Sequence, residues 1–180
     1  MGNSEIIYCR TTNDGELQEI LRLQQKNLFN TLSINEKKQE GFVTISHSFA
    51  LLKEMSAVCP HILAKANGKV IGYILCMHPR FAGEILILEP MFKEIEKVLP
   101  NHTKYMVMGQ ICIDKAYRNK GIFRKLYLKM TQALGAEFDA IVTEVDTKNQ
   151  RSLKAHYAIG FEHLKTHKSK GRKWAMIILK

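Results

Sequence analysis

The 180-residue chain has little of what would anchor, staple or divide it. No apolar run approaches the roughly 18 to 20 residues needed to cross a bilayer; the longest candidates are short stretches such as Val70 to Met77, broken by Gly72. A membrane-spanning protein is thereby excluded. The start, Met-Gly-Asn-Ser-Glu, is neither basic nor followed by a long hydrophobic segment, so export by a cleaved signal is not expected and the chain reads as cytoplasmic. Gly2 invites a myristoylation reading, but Ile6 stands where that pattern wants Ser or Thr. There are four cysteines, Cys9, Cys59, Cys76 and Cys112, and no Cys-x-x-Cys pair, which points to reduced, buried thiols rather than zinc or redox work. His163 and His167 have a spacing that can serve zinc, yet no cysteine pair precedes them and their neighbours are lysines, so no metal is expected. Repeats, low-complexity tracts and Pro/Gly-rich linkers are lacking too, which argues for one domain over residues 1–180.

What is present is ample core material, 46% apolar residues, and a net charge of +10 from 27 Lys or Arg against 17 Asp or Glu. A disordered chain is excluded by the first number. The hydrophobic pattern predicts a strand at Ile6 to Arg10 and a helix from Gly15 to Phe29, because Leu17, Ile20, Leu21, Gln24 and Leu28 recur at helical spacing. A second helix is expected from Thr44 to Met55. His61 to Ala66 and Val70 to Met77 flank Asn67-Gly68-Lys69, which signals an antiparallel hairpin. A helix around Met91 to Val98 is ended by Pro100. The second half alternates: strand Tyr105 to Ile113, helix Ile122 to Gly135, strand Ala140 to Val145, helix Asn149 to Ile159. Gly135 is expected to close its helix in a left-handed cap. Strands Glu162 to Thr166 and Trp174 to Leu179 finish the chain around a basic turn at Ser169-Lys170-Gly171. A mixed α/β architecture follows.

Chemistry concentrates between the strand ending at Ile113 and the helix beginning near Ile122. A helix start presents backbone N–H groups without intrahelical partners at the positive end of the dipole, which suits phosphate. In Arg118-Asn119-Lys120-Gly121-Ile122-Phe123-Arg124, the glycine permits a tight turn and three cations surround it. The same stretch is also compatible with an ordinary turn carrying solvated cations.

Residues Gly109 to Phe161 resemble the GNAT superfamily of N-acetyltransferases, which use acetyl-coenzyme A. Arg118-Asn119-Lys120-Gly121-Ile122-Phe123 looks like that family's Arg/Gln-x-x-Gly-x-Gly/Ala pyrophosphate loop. Asn149 through Tyr157, closing with Gly160-Phe161, looks like its second motif. Phe123 departs from the pattern, standing where the family usually has Gly or Ala. The resemblance implies a mixed, mostly antiparallel central sheet with helices on both faces, and transfer of acetyl from acetyl-CoA to a primary amine by direct attack in a ternary complex. It places the pantetheine arm along the backbone of Ile111, Cys112 and Ile113. The pyrophosphate falls at Arg118, Asn119, Lys120, Gly121, Ile122, Phe123 and Arg124, with a further cofactor contact at Asn149.

Aminolysis of a thioester needs an uncharged amine and a group that protonates the departing thiolate. Tyr157, at the family's tyrosine position, is the candidate donor; the alternative is a core tyrosine between Leu153 and Phe161. Glu144, in the strand before the second motif, is the candidate base; the alternative is a solvated strand glutamate. Asn149 reads equally well as a helix cap. His156, turned about 100° from Tyr157 on the helix, reads as surface or edge packing. Gly109 marks either a bulge that parts two strands or a plain strand glycine.

Six of the fifteen residues from Lys115 to Lys129 are basic, as are five of the nine from Lys165 to Lys173. Coenzyme A accounts for the first cluster only. Two other classes fit the charge, a nucleic-acid or ribosome-binding module and a coenzyme A-binding protein without turnover. Base-reading motifs and aromatic residues interleaved with the basic run are not evident, which disfavours nucleic acid. Family members often form homodimers, and nothing in the sequence marks such an interface.

Overall fold

The computed structural model describes residues 5–28, 43, 45–86 and 88–180. Within them, seven strands and five α-helices follow one another: β1 (Ile6–Arg10), α1 (Asp14–Lys26), α2 (Phe49–Val58), β2 (Ile62–Ala66), β3 (Lys69–Met77), α3 (Glu89–Glu96), β4 (Tyr105–Ile113), α4 (Ile122–Leu134), β5 (Ala140–Asp146), α5 (Gln150–Tyr157), β6 (Glu162–Ser169) and β7 (Arg172–Leu179). The strands form one sheet in the order β1-β2-β3-β4-β5-β7-β6, with β4 and β5 parallel and the pairs β1-β2, β2-β3, β5-β7 and β6-β7 antiparallel. The expected mixed, mostly antiparallel α/β architecture is what is found. Two compact units divide the chain, Met1–Cys76 with Gly109–Ala133, and Met77–Met108 with Leu134–Lys180. The chain passes from one unit to the other at the last residue of β3, inside β4 between Met108 and Gly109, and at the last residue of α4.

In the first unit, β2 and β3 join through Asn67 and Gly68, both with positive φ (50° and 75°), as a two-residue hairpin of that composition demands. α1 starts where Asn13 accepts from Glu16 N, while Glu16 Oε2 accepts from Thr12 N at 2.7 Å. Its buried face is Leu17, Ile20, Leu23 and Gln24. The helix stops at Lys26, short of the predicted Phe29, because Asn27 leaves the helical conformation and turns its own amide back onto Leu23 O at 2.9 Å. Phe29 and Thr44 lie outside the described residues. α2 begins later than predicted, since Ser48 caps it by accepting from Leu51 N. Just before that cap, His47 N is spent on Gln24 Oε1 at 2.9 Å.

In the second unit, β4 and β5 pair over only three residues, Tyr105–Val107 with Ala140–Val142, and Thr143 Oγ1 then donates to Met108 O at 3.0 Å. The β6-β7 hairpin turns on Lys170 and Gly171, whose φ angles are 48° and 73°. β6 carries a bulge: His163 faces Ile177 and Lys165 faces Met176, so Leu164 is the extra residue. The left-handed cap expected at Gly135 is not formed, for among the described residues positive φ falls elsewhere, and Glu137 N and Phe138 N both return to Leu134 O.

Candidate active site

β4 leads directly into the candidate loop. Along it Gln110 and Cys112 are buried while Ile111 and Ile113 are partly exposed, as alternation requires. Gln110 sits in a buried polar network. It accepts from Tyr73 Oη at 2.6 Å and from Gln24 Nε2 at 2.8 Å, and donates to Ile45 O. The network ties β4 to α1 and to the segment before α2. Burial pushes the Cys112 thiol up to about 12, which makes it a poor nucleophile near neutral pH.

Asp114 then accepts from Ala116 N and starts a single 3₁₀ turn, Lys115–Tyr117. Asn119 and Gly121 both adopt the left-handed region, φ 61° and 73°, and α4 begins at the next residue. Lys125 N bonds to Gly121 O at 3.2 Å, and the loop thus delivers the chain into the positive pole of a 13-residue helix. A Cβ at Gly121 would meet no atom within 4 Å, so only backbone strain keeps this position glycine. Gly121→Val is expected to cost roughly 1–2 kcal/mol, read as a lower midpoint in urea with an unchanged slope; an unchanged midpoint would show that the loop relaxes without a left-handed residue.

The loop cations have different employments. Arg118 turns inward: Nε donates to Ile113 O at 3.1 Å and a terminal nitrogen donates to Asn27 Oδ1 at 2.8 Å, tying the loop to the end of α1. Lys120 Nζ lies 5.0 Å from the centre of the Tyr117 ring. Arg124 is exposed on the first turn of α4. Phe123 packs its ring on Tyr127 one turn along, centroids 5.1 Å apart, so the ring is held along the helix.

In the second unit, Asn149 caps α5 by accepting from Ser152 N at 3.0 Å. The orientation of α5 reverses one expectation. His156, read from the sequence as surface or edge packing, is 1% exposed, whereas Tyr157 is 42% exposed. His156 is drawn inward because Nδ1–H donates to Ser152 O at 2.8 Å and the ring meets Phe161 edge-on at 5.1 Å. The phenol of Tyr157, the last residue of α5, is thereby accessible rather than part of the core.

Glu144 is not a solvated glutamate. It lies on β5 opposite Met176, with a side chain 11% exposed, and His167 Nε2 sits 2.9 Å from its Oε2. Burial raises the carboxyl's pKa and the contact with His167 works against that rise. Sequence reasoning missed this partner because it placed His163 and His167 together by spacing. The bulge at Leu164 reverses the alternation between them, so His163 is exposed against Thr166 and His167 faces Glu144. Among the described residues no group of three or more His, Cys, Asp or Glu is placed to hold a metal ion. No described helix is long and apolar enough to cross a membrane.

The family model of the GNAT acetyltransferases matches residues 18–161. The chain belongs to the GNAT acetyltransferase family. Solved structures with a similar fold include the ribosomal-protein-S18-alanine N-acetyltransferase of Escherichia coli (10% identity, 97% of this chain and 93% of that one, TM-score 0.65). Another is yncA of Salmonella typhimurium, solved with its cofactor acetyl-CoA (14%, 98% and 94%, TM-score 0.65). A third is Arabidopsis thaliana Naa50 in complex with the bisubstrate analogue CoA-Ac-MVNAL (13%, 97% and 98%, TM-score 0.64). At these identities the likeness is one of fold. Among curated proteins no sequence match is found.

The second basic cluster of this GNAT chain, Lys165 to Lys173, is partly neutralised from within. Lys165 Nζ pairs with Glu94 Oε2 of α3 at 2.5 Å, and Arg172 stands 3.8 Å from Asp146 Oδ2.

Proposed function

We propose that this single GNAT domain, residues 1–180, transfers an acetyl group from acetyl-CoA to a primary amine by direct attack in a ternary complex. The observation that carries the reading is the strand–loop–helix at 111–124, with left-handed Asn119 and Gly121 delivering the chain into the N-terminus of α4. The positive pole of α4, at Ile122 to Arg124, fits an anionic diphosphate, with Lys120 and Arg124 as nearby charge. The backbone of Ile111, Cys112 and Ile113 would take the pantetheine arm, and Asn149 would add a polar contact beyond its capping role. Arg118 serves by fixing the loop.

In the reaction the amine nitrogen forms a bond to the thioester carbonyl carbon and the carbon–sulfur bond breaks. Glu144 takes the proton lost by nitrogen, directly or through water, and Tyr157 gives its phenolic proton to the departing thiolate. Direct attack is favoured over an acyl-enzyme because burial raises the pKa of the Cys112 thiol, and a hydrogen bond with Cys59 together with burial raises that of Cys76, leaving neither as a ready nucleophile.

The test is an acceptor panel of small amines, polyamines, aminoglycosides and peptide N-termini with acetyl-CoA, read by free thiol and by acetyl mass gain of the acceptor. Acceptor-dependent thiol release is expected. Calorimetric binding of acetyl-CoA with no product from any acceptor would replace this reading with a coenzyme A-binding protein that lacks turnover.

A further inference from the structure

Only one oxygen of Glu144 is engaged. His167 occupies Oε2, and among the described residues Oε1 has no hydrogen-bond partner and is not sealed from solvent. The pair is built across three strands of the second unit. Glu144 on β5 faces Met176 on β7, and His167 on β6 faces Trp174 two residues along β7, so both side chains lie on one face of the sheet and meet diagonally. His167 is 7% exposed, so the contact is shielded from competing water.

We propose that His167 is the positioning residue for Glu144: its Nε2–H fixes the carboxylate through Oε2 and favours its charged form, leaving Oε1 as the atom that takes the amine proton. This rests on Glu144 being the proton acceptor of the transfer reaction. A buried carboxylate left alone would hold its proton too tightly and wander between rotamers. A donor on one oxygen corrects both, and an imidazole whose Nε2 is committed in this way has a defined tautomer. The other charged groups that these three strands place on this face are Lys165, Asp146, Arg172 and Glu162, the last exposed opposite Ile178 at the start of β6. Lys165 on β6 is bonded to Glu94 of α3, which also holds Lys97, and Asp146 on β5 faces Arg172 of β7. Met176 and Trp174, the β7 residues between the pair, are uncharged.

The experiment compares wild type, His167→Ala, His167→Gln and Glu144→Gln with one acceptor amine, so that the amine's own titration is common to all. Loss of His167 is expected to move the acid limb of the kcat/KM profile up by one pH unit or more, about tenfold in rate on that limb, with activity recovering at high pH. His167→Gln, whose amide N–H can still donate, should move it less. A merely structural role would lower the whole profile without displacing it. Independently of turnover, the ¹³C carboxyl resonance of Glu144 is titrated in each protein. An upward shift of its midpoint in His167→Ala supports the proposal, and an unmoved midpoint overturns it. Full activity in Glu144→Gln would overturn the base assignment instead, and the resonance would still show whether His167 controls the carboxyl. Circular dichroism checks folding, and if the alanine variant fails to fold, the glutamine variant carries both comparisons.

Discussion

Tyr157→Phe lowers turnover by about 10²- to 10⁴-fold, the usual worth of a positioned proton donor, and leaves acetyl-CoA affinity where it was. The substitution removes one oxygen from an accessible side chain at the end of α5, 42% exposed and without a core role to lose. Stability should therefore stay within about 0.5 kcal/mol. The diphosphate contacts assigned to residues 119–124 lie in the other compact unit and are untouched by the change. A phenolic O–H suits this step because it is a hydrogen-bond donor able to hand its proton to the departing thiolate. Calorimetric titration of acetyl-CoA and initial rates on the same preparation separate binding from chemistry. Turnover equal to wild type would remove Tyr157 from the mechanism and move the search for the acid to other residues.

The parts of this molecule that could be read from sequence are those fixed by local pattern. β4 runs from Tyr105 to Ile113 and α4 starts at Ile122, as the apolar periodicity predicts. Gly121 has the positive φ that a turn into a helix asks of a glycine. What could not be read depends on residues distant in the chain. α1 ends early because Asn27 bonds back to Leu23 O, and its Oδ1 meets Arg118 from 91 positions away. The Glu144–His167 pair requires a bulge at Leu164 that reverses strand alternation, and no residue type announces that bulge. His156 and Tyr157 are adjacent on one helix, and spacing alone does not say which faces inward. Leu153 and Phe161 settle it by packing with the imidazole side of α5. Each of these misses concerns a polar side chain whose position is set by a tertiary partner rather than by its neighbours in sequence.

Acidification through the range from about 6.5 to about 4 should strip the fold of several kcal/mol, and buried imidazoles are the cause. His47, His61 and His156 are 8%, 0% and 1% exposed, and burial lowers each from 6.5 to about 4. His61 Nδ1 accepts from Cys76 N and His47 Nδ1 accepts from the amide of Gln24, bonds that need the lone pair of an uncharged ring nitrogen, whereas the bond from His156 Nδ1–H to Ser152 O works against the effect of burial there. Between those two pH values the unfolded chain binds protons that the folded chain refuses, so stability rises with pH there. The contribution is complete above the unfolded value of 6.5 and is lost as pH falls toward the folded value. A shift of this size corresponds to up to about 3 kcal/mol per histidine. Glu144 works in the opposite direction, because its raised folded pKa gives stability in acid that is lost as pH rises through that folded value. One carboxyl against three imidazoles leaves the histidines in control. Urea midpoints measured at steps across this range should fall steadily on acidification. His61→Asn, whose side-chain oxygen can still accept from Cys76 N, should flatten the slope by about a third. A midpoint constant from neutral pH to below pH 5 would mean that these rings reach water in the native state, contrary to their burial.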